Sequence, residues 1–293
     1  MTKLISSSPE LQILYREMVP ADIPVGLQLC RSSRWNQLAR DWELFLKLNP
    51  HGCLVAVEDE RVVGTVATLR FQDRFSWISM VLVDKVVRGC GIGTQLLHEA
   101  MRILGEVPAM RLDATPAGHA IYRKLGFADE YWLSRMEASH PSPQLQVENN
   151  PAQPMTLSDL GDVFKFDLEV FDADRREMLD WMLAGAPEYA WVVRRGDRVM
   201  GYTFGRHGFD YEHIGPVIAQ DQRSAQHLVT ACLARCGDRP VILDTPHDFP
   251  EWNAWLASCG FTKQRPFIRM IRGENRYPGL AEKQFAIVGP EFG

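Results

Sequence analysis

Residues 88–97 read RGCGIGTQLL, placing Gly89, Gly91 and Gly93 at alternate positions between the apolar stretch WISMVLV (77–83) and an amphipathic run. A strand, a glycine-rich turn and the first turn of a helix present unpaired backbone N–H groups at the positive end of a helix dipole, an arrangement that binds phosphate. Glycine matters there because a Cβ would hold a ligand off the amides and because some positions need positive φ. Gly89, Gly91 and Gly93 are therefore expected to line a cradle for two linked phosphates. The plainer alternative is a tight loop with Arg88 as a solvated charge. Two familiar phosphate motifs are absent. GxxxxGK[ST] does not occur, and the dinucleotide fingerprint fails because position 94 is Thr, although Asp113 lies where a ribose-binding acid would.

The elements that must hold this loop follow from periodicity. Ile92, Leu96, Leu97, Ala100, Met101 and Leu104 share one face and predict a helix over 92–105. WISMVLV is apolar without strong alternation, as a central strand covered on both faces would be. Further strands are expected near 11–18, 52–58, 62–71, 75–83, 109–114 and 127–137, with helices near 20–30, 36–48 and 117–125. This is a mixed α/β pattern, and it recurs. ERVVGT (60–65) answers to DRVMGY (197–202), WISMVLV to HIGPVIA (213–219), RLDATP (111–116) to ILDTP (242–246), and GFADEYWLSRM (126–136) to GFTKQRPFIRM (260–270). The offsets stay between 131 and 137, which implies a tandem repeat of one fold. Between the copies, HPSPQLQVENNPAQP (140–154) reads as a linker.

Length and composition agree with two domains. The chain has 293 residues, 46% hydrophobic and 24% charged, and a formal net charge of −5. No Lys/Arg-rich cluster occurs, which argues against nucleic acid and against anionic membranes as partners. MTKLISSSPELQ carries no apolar signal region and no apolar run approaches membrane-spanning length, so a cytoplasmic protein is expected. The six cysteines lack a CxxC pair and read as reduced thiols, with no metal expected; the cluster HGFDYEH (207–213) reads as a turn between strands.

VLVDKVVRGCGIGTQLL resembles the Q/R-x-x-G-x-G/A motif of the GNAT acetyltransferase family, with Arg88, Gly91 and Gly93 on the motif positions. TPAGHAIYRKLGF (115–127) resembles the family's second segment, a helix ending in Tyr-x-x-x-Gly-Phe. The chain further resembles a bacterial group that carries a second, divergent GNAT-like domain. The resemblance implies a GNAT domain over 1–139, a linker over 140–154 and a divergent domain over 155–293, each with a mixed central sheet flanked by helices. It implies acetyl-CoA as co-substrate. The pyrophosphate would lie on the backbone of Arg88, Gly89, Cys90, Gly91, Ile92, Gly93 and Thr94, and the pantetheine and acetyl group on Val81, Leu82 and Val83. Thr115 would either hold the pantetheine or cap the following helix.

Direct acetyl transfer needs a neutral amine, a stabilised oxyanion and a proton for the departing thiolate. Tyr122 occupies the family's Tyr position and is the expected acid. Ser79, Asp84, Asp113 and His119 are all candidates for the base, acting directly or through water. Trp42 and Phe45 are expected in the core, Trp35 and Asn36 in an acceptor pocket, and Asp174 and Arg175 as acceptor contacts from the second half. That half has no glycine loop and carries Leu256 at the Tyr position, so it is expected to bind no acetyl-CoA and to close the acceptor pocket or stabilise the first domain. The expectation is an N-acetyltransferase acting on a small primary amine, as a monomer or homodimer. A non-catalytic acyl-CoA sensor and a protein N-acetyltransferase are the alternatives.

Overall fold

A computed structural model describes residues 12–142, 150–247 and 249–293. The first half runs β1 (Ile13–Glu17), α1 (Ile23–Ser32), α2 (Ala39–Leu48), β2 (Leu54–Glu58), β3 (Arg61–Phe71), β4 (Phe75–Val83), α3 (Ile92–Leu104), β5 (Ala109–Ala114), α4 (Pro116–Lys124) and β6 (Ala128–Ala138). The second half runs β7 (Gln153–Pro154), α5 (Leu160–Phe171), α6 (Arg176–Gly185), β8 (Trp191–Arg195), β9 (Arg198–Arg206), β10 (Glu212–Ala219), α7 (Gln222–Leu233), β11 (Val241–Pro246), α8 (Pro250–Ser258), β12 (Thr262–Gly273) and β13 (Gln284–Ala286). The elements of the first half match the expected ones to within a few residues. Of the expected linker, residues 143–149 lie outside the described residues, as do residues 1–11.

The strands form one 13-stranded sheet in the order β1-β2-β3-β4-β5-β12-β6-β11-β10-β9-β8-β7, with β13 paired to β10. Two strands have changed sides. β12 lies antiparallel between β5 and β6 of the first half, and β6 lies between β12 and β11. Ile268 and Met270 of β12 are buried in the same cluster as Leu97, Leu112 and Phe127, beneath α3. A second cluster joins Trp42, Phe45 and Trp77 of the first half to Phe171, Tyr202, Phe204 and Phe292 of the second. The chain on either side of the linker thus shares one sheet and one core.

Both halves build the same notch. β4 and β5 pair in parallel only at Ser76↔Met110 and Trp77↔Arg111, and then diverge. The β3–β4 register slips between Thr65 and Ala67, and Met80 sits in the bulge with φ 54°, a conformation that non-glycine residues hold only under constraint from their surroundings. Thr65 Oγ1 donates to the Met80 carbonyl at 2.8 Å and pins the bulge. In the second half, β10 and β11 pair only at Glu212↔Val241 and His213↔Ile242. There the opening is filled by the chain itself: β13 pairs with Val217 and Ile218, and the Ile287 N–H donates to the Asp244 carbonyl at 3.0 Å. Gly215 permits this, since a Cβ at that position would lie 2.0 Å from the Ile287 carbonyl oxygen.

A polypeptide of residues 1–139 would lack β12 between β5 and β6 and would expose the face that Ile268 and Met270 cover. By itself it is expected to show no cooperative thermal unfolding and a weak near-ultraviolet circular dichroism signal. Co-expression with residues 140–293 is expected to restore both, as a co-purifying pair.

Candidate active site

The divergence of β4 from β5 opens a cavity of 650 Å³, lined along one wall by Ile78–Val83 and along the other by Leu112, Asp113, Thr115 and Tyr122. The glycine loop closes one end, contributing Arg88, Gly89, Gly91, Ile92, Gly93 and Thr94. Among the described residues, nothing accepts a hydrogen bond from the backbone N–H groups of residues 88–94, and the bonding of α3 begins with Gln95 N–H to Gly91 O at 3.0 Å. Gly91 caps α3 at φ 81°, and a Cβ there would meet nothing within 4 Å. Conformation, not crowding, is what requires glycine at this position. Arg88 folds back so that its Nε donates to the Val83 carbonyl at 3.0 Å, tying the loop to the end of β4. Cys90 faces solvent and does not line the cavity.

Tyr122 projects from α4 into the cavity. Its ring packs over Gly118, where a Cβ would lie 2.8 Å from Cε2, and meets Phe127 edge-on at 6.1 Å. Burial pushes its phenol up to about 12, so the hydroxyl is protonated at neutral pH. Thr115 caps α4, its Oγ1 accepting from Gly118 N–H at 3.4 Å, and also faces the cavity. Of the candidates for the base, Ser79 lines the cavity. Asp113 lines it too, but its carboxylate is held by both arms of Arg269 at 2.9 Å. Asp84 and His119 lie off it. The Asp84 carboxylate accepts from Val86 N–H and pairs with Arg61 at 3.2 Å, and His119 pairs with Asp129 at 2.8 Å.

The far end of the cavity combines Trp35 and Gln37 with Arg135, Arg265, Phe267, Pro290 and Glu291. Four of these seven come from the second half. Behind them runs a buried ionic network. Arg206 bonds Asp41 at 2.9 Å and also Glu291; His213 lies 2.9 Å from Arg206 and 3.0 Å from Asp244; Asp244 takes both arms of Arg135 at 2.8 and 2.7 Å. Burial opposes charge on Asp244, yet Arg135 and His213 hold its carboxyl well below the usual range. Burial and Arg206 push the His213 imidazole down, which keeps it neutral. Burial opposes charge on Glu291 as well, yet Arg206 holds its carboxyl low.

Three expected acceptor contacts lie elsewhere. Asn36 is buried and clasps the loop ahead of β10, its Oδ1 accepting from Asp210 and Tyr211 N–H at 2.9 and 3.0 Å and its Nδ2 donating to the Tyr211 carbonyl at 3.0 Å. Arg175 is buried against Asp167 and donates to the Gly293 carbonyl at 3.2 Å, so it secures the last residues rather than a ligand. Asp174 pairs with its neighbour Arg176 at 2.8 Å. Arg135, Arg265 and Glu291 gave no local motif. The repeat did hold one signal: Arg135 and Arg269 stand at equivalent positions, as do Asp113 and Asp244, and each Arg pairs with the Asp of the other half.

Parallel strands that diverge beside a helix start with free amides leave a cleft able to take an extended ligand along the strand edge. The chain belongs to the GNAT acetyltransferase family. The acetyltransferase (GNAT) family profile matches residues 21–127 and an acetyltransferase (GNAT) domain profile matches residues 163–286. The protein is therefore an acyltransferase with two GNAT-like domains. Holothin acyltransferase of Pseudoalteromonas sp. (strain SANK 73390) is 26% identical over 263 residues, covering 89% of this chain and 88% of that one. In fold, the chain is similar to a Pyrococcus horikoshii protein described as an acetyltransferase (TM-score 0.80, 19% identity, 100% and 99% of the two chains). It is also similar to a tandem GNAT protein from the clavulanic acid biosynthesis pathway (TM-score 0.62, 14% identity, 89% and 98%). Among the described residues no helix is long and apolar enough to cross a membrane, and no group of three or more His, Cys, Asp or Glu is arranged to hold a metal.

Arg269→Met would leave the Asp113 carboxylate buried without its counter-charge, at an expected cost of about 3–5 kcal/mol. Urea denaturation should show this as a lower midpoint with an unchanged slope. The double variant Arg269→Met/Asp113→Leu is expected to recover most of the loss.

Proposed function

We propose that the protein transfers an acetyl group from acetyl-CoA to the primary amine of a small molecule, by direct attack of the amine on the thioester. The observation that carries this reading is one continuous cavity, which joins the free amides of the glycine loop, the unpaired edge of β4, Tyr122 and a far end lined by both halves. The loop amides suit a pyrophosphate, since unpaired N–H groups and a helix dipole meet there. Backbone N–H groups along Val81–Val83 suit the pantetheine and the thioester oxygen, whose charge grows as the tetrahedral intermediate forms. When the amine nitrogen bonds to the carbonyl carbon and the C–S bond breaks, the Tyr122 hydroxyl donates its proton to the sulfur. The amine loses its surplus proton to a base or water near Ser79. A small acceptor is favoured because residues of both halves line the far end, and the relative from Pseudoalteromonas is named for acyl transfer to holothin.

Calorimetric titration tests the cradle. Gly91→Asp puts a Cβ at positive φ and a negative charge against the phosphates, and acetyl-CoA affinity is expected to fall at least about 100-fold. Steady-state kinetics test the acid: Tyr122→Phe is expected to lower kcat by about 10² with little change in acetyl-CoA affinity. The raised pKa of Tyr122 keeps its acid form present to high pH. Wild-type kcat should therefore show no alkaline decline from this group between about pH 7 and about pH 10.

A further inference from the structure

At the far end of the cavity, two hydrogen-bonding groups of opposite kind have no partner among the described residues. Arg265 on β12 stands opposite Arg135 in the ladder, and the two guanidiniums flank Phe267, each 5.3 Å from its ring centroid. Their situations differ. Arg135 is bound by both oxygens of Asp244, whereas Arg265 donates to no group among the described residues, and its Nε is buried without an acceptor. The carboxylates around it are engaged: Asp244 by Arg135, Glu291 by Arg206 and Gln37, Asp113 by Arg269, and Glu137 by Tyr211 and Gln264. Burial and the nearby Arg135 push the Arg265 guanidinium down to about 10, so it remains a cation at neutral pH, held where its charge is disfavoured. On the same cavity, Gln37 is buried, and among the described residues its Oε1 accepts from nothing while its Nε2 donates to Glu291 at 2.9 Å.

We infer that the acceptor is an amino acid or a closely similar amine that carries a carboxylate, the carboxylate held by Arg265 and an N–H of the acceptor taken by Gln37 Oε1. This rests on the acyltransferase reading and narrows it. A guanidinium is the side chain whose paired N–H donors match a carboxylate in two-point contact, and such a pair is strong where water is excluded. A neutral amine would leave Arg265 as an uncompensated, partly buried cation. A dication would meet it with repulsion.

The test compares the common α-amino acids with their carboxamides as acceptors for acetyl-CoA, in the full-length protein and in Arg265→Gln and Arg265→Lys. Expected are a KM for the preferred acid at least about tenfold below that of its carboxamide, loss of that difference in Arg265→Gln with kcat within about threefold, and partial return in Arg265→Lys. Calorimetric titration of the CoA-bound protein with the N-acetyl amino acids and N-acetyl amino-acid amides gives a readout independent of turnover. The acids should bind at least about tenfold more tightly in the wild type and equally in Arg265→Gln. Equal binding of acid and amide in the wild type, or a preference that survives Arg265→Gln, overturns the inference. Where CoA binds and neutral amines are acetylated without preference for acids, only this inference fails. Where CoA does not bind, the acetyl-CoA reading fails and this inference with it.

Discussion

The exchange of β6 and β12, locked by two reciprocal ion pairs, is the constraint on which the rest of the molecule depends. Arg135 of β6 binds Asp244 of β11, and Arg269 of β12 binds Asp113 of β5, each pair buried and each joining one half to the other. Removing one partner strands a charge in a low-dielectric interior, and this penalty makes the pairs specific to a single strand order. The register that brings Arg269 to Asp113 also brings Phe267 and Arg265 to the cavity. The far end of the cavity thus includes residues of the second half because the sheet is shared.

The two copies of the fold put the same features to opposite uses. In the first half the start of α3 leaves its amides free beside a glycine loop. In the second half, α7 is capped by Asp221, whose carboxylate accepts from Ser224 N–H at 2.8 Å, so the chain supplies its own anion where the first half leaves room for another. The notch at β4 is open, and the corresponding notch at β10 holds β13. A duplicated framework needs only a glycine at 215 and a returning strand to change from a cleft into a support.

The segment after β13 does a second task with the same residues. Having filled one notch, it runs on to place Pro290 and Glu291 against the other cavity, while Phe292 stacks on Phe45 at 4.9 Å and Trp77 Nε1 donates to the Pro290 carbonyl at 3.0 Å. That end of the cavity therefore rests on an aromatic contact rather than on a free loop. Glu291 is in turn oriented by Arg206 and Gln37, which ties its position to the buried network.

Much of the fold was legible in the sequence, because its signals are local. The 3.6-residue period of Ile92–Leu104, the continuous apolar run of β4 and the glycine loop depend on neighbours within a few positions, and the loop, Val81–Val83, Thr115 and Tyr122 do meet on one cavity. The repeat was legible too, since copies preserve spacing. The identity of the strands' partners was not, because a hydrophobic pattern states that a face must be covered and not which segment covers it. For the same reason Asn36, Asp174 and Arg175, polar residues at element ends, read as contacts for a ligand when their partners are other parts of the chain. Arg135, Arg265 and Glu291 stand in no local pattern, and only pairing across 100 or more residues of sequence brings them together. Sequence by itself determined the elements and the glycine loop, whose physics is that of one turn and one helix start; tertiary structure decided the far end of the cavity, because burial and charge compensation there are set by strands from opposite halves.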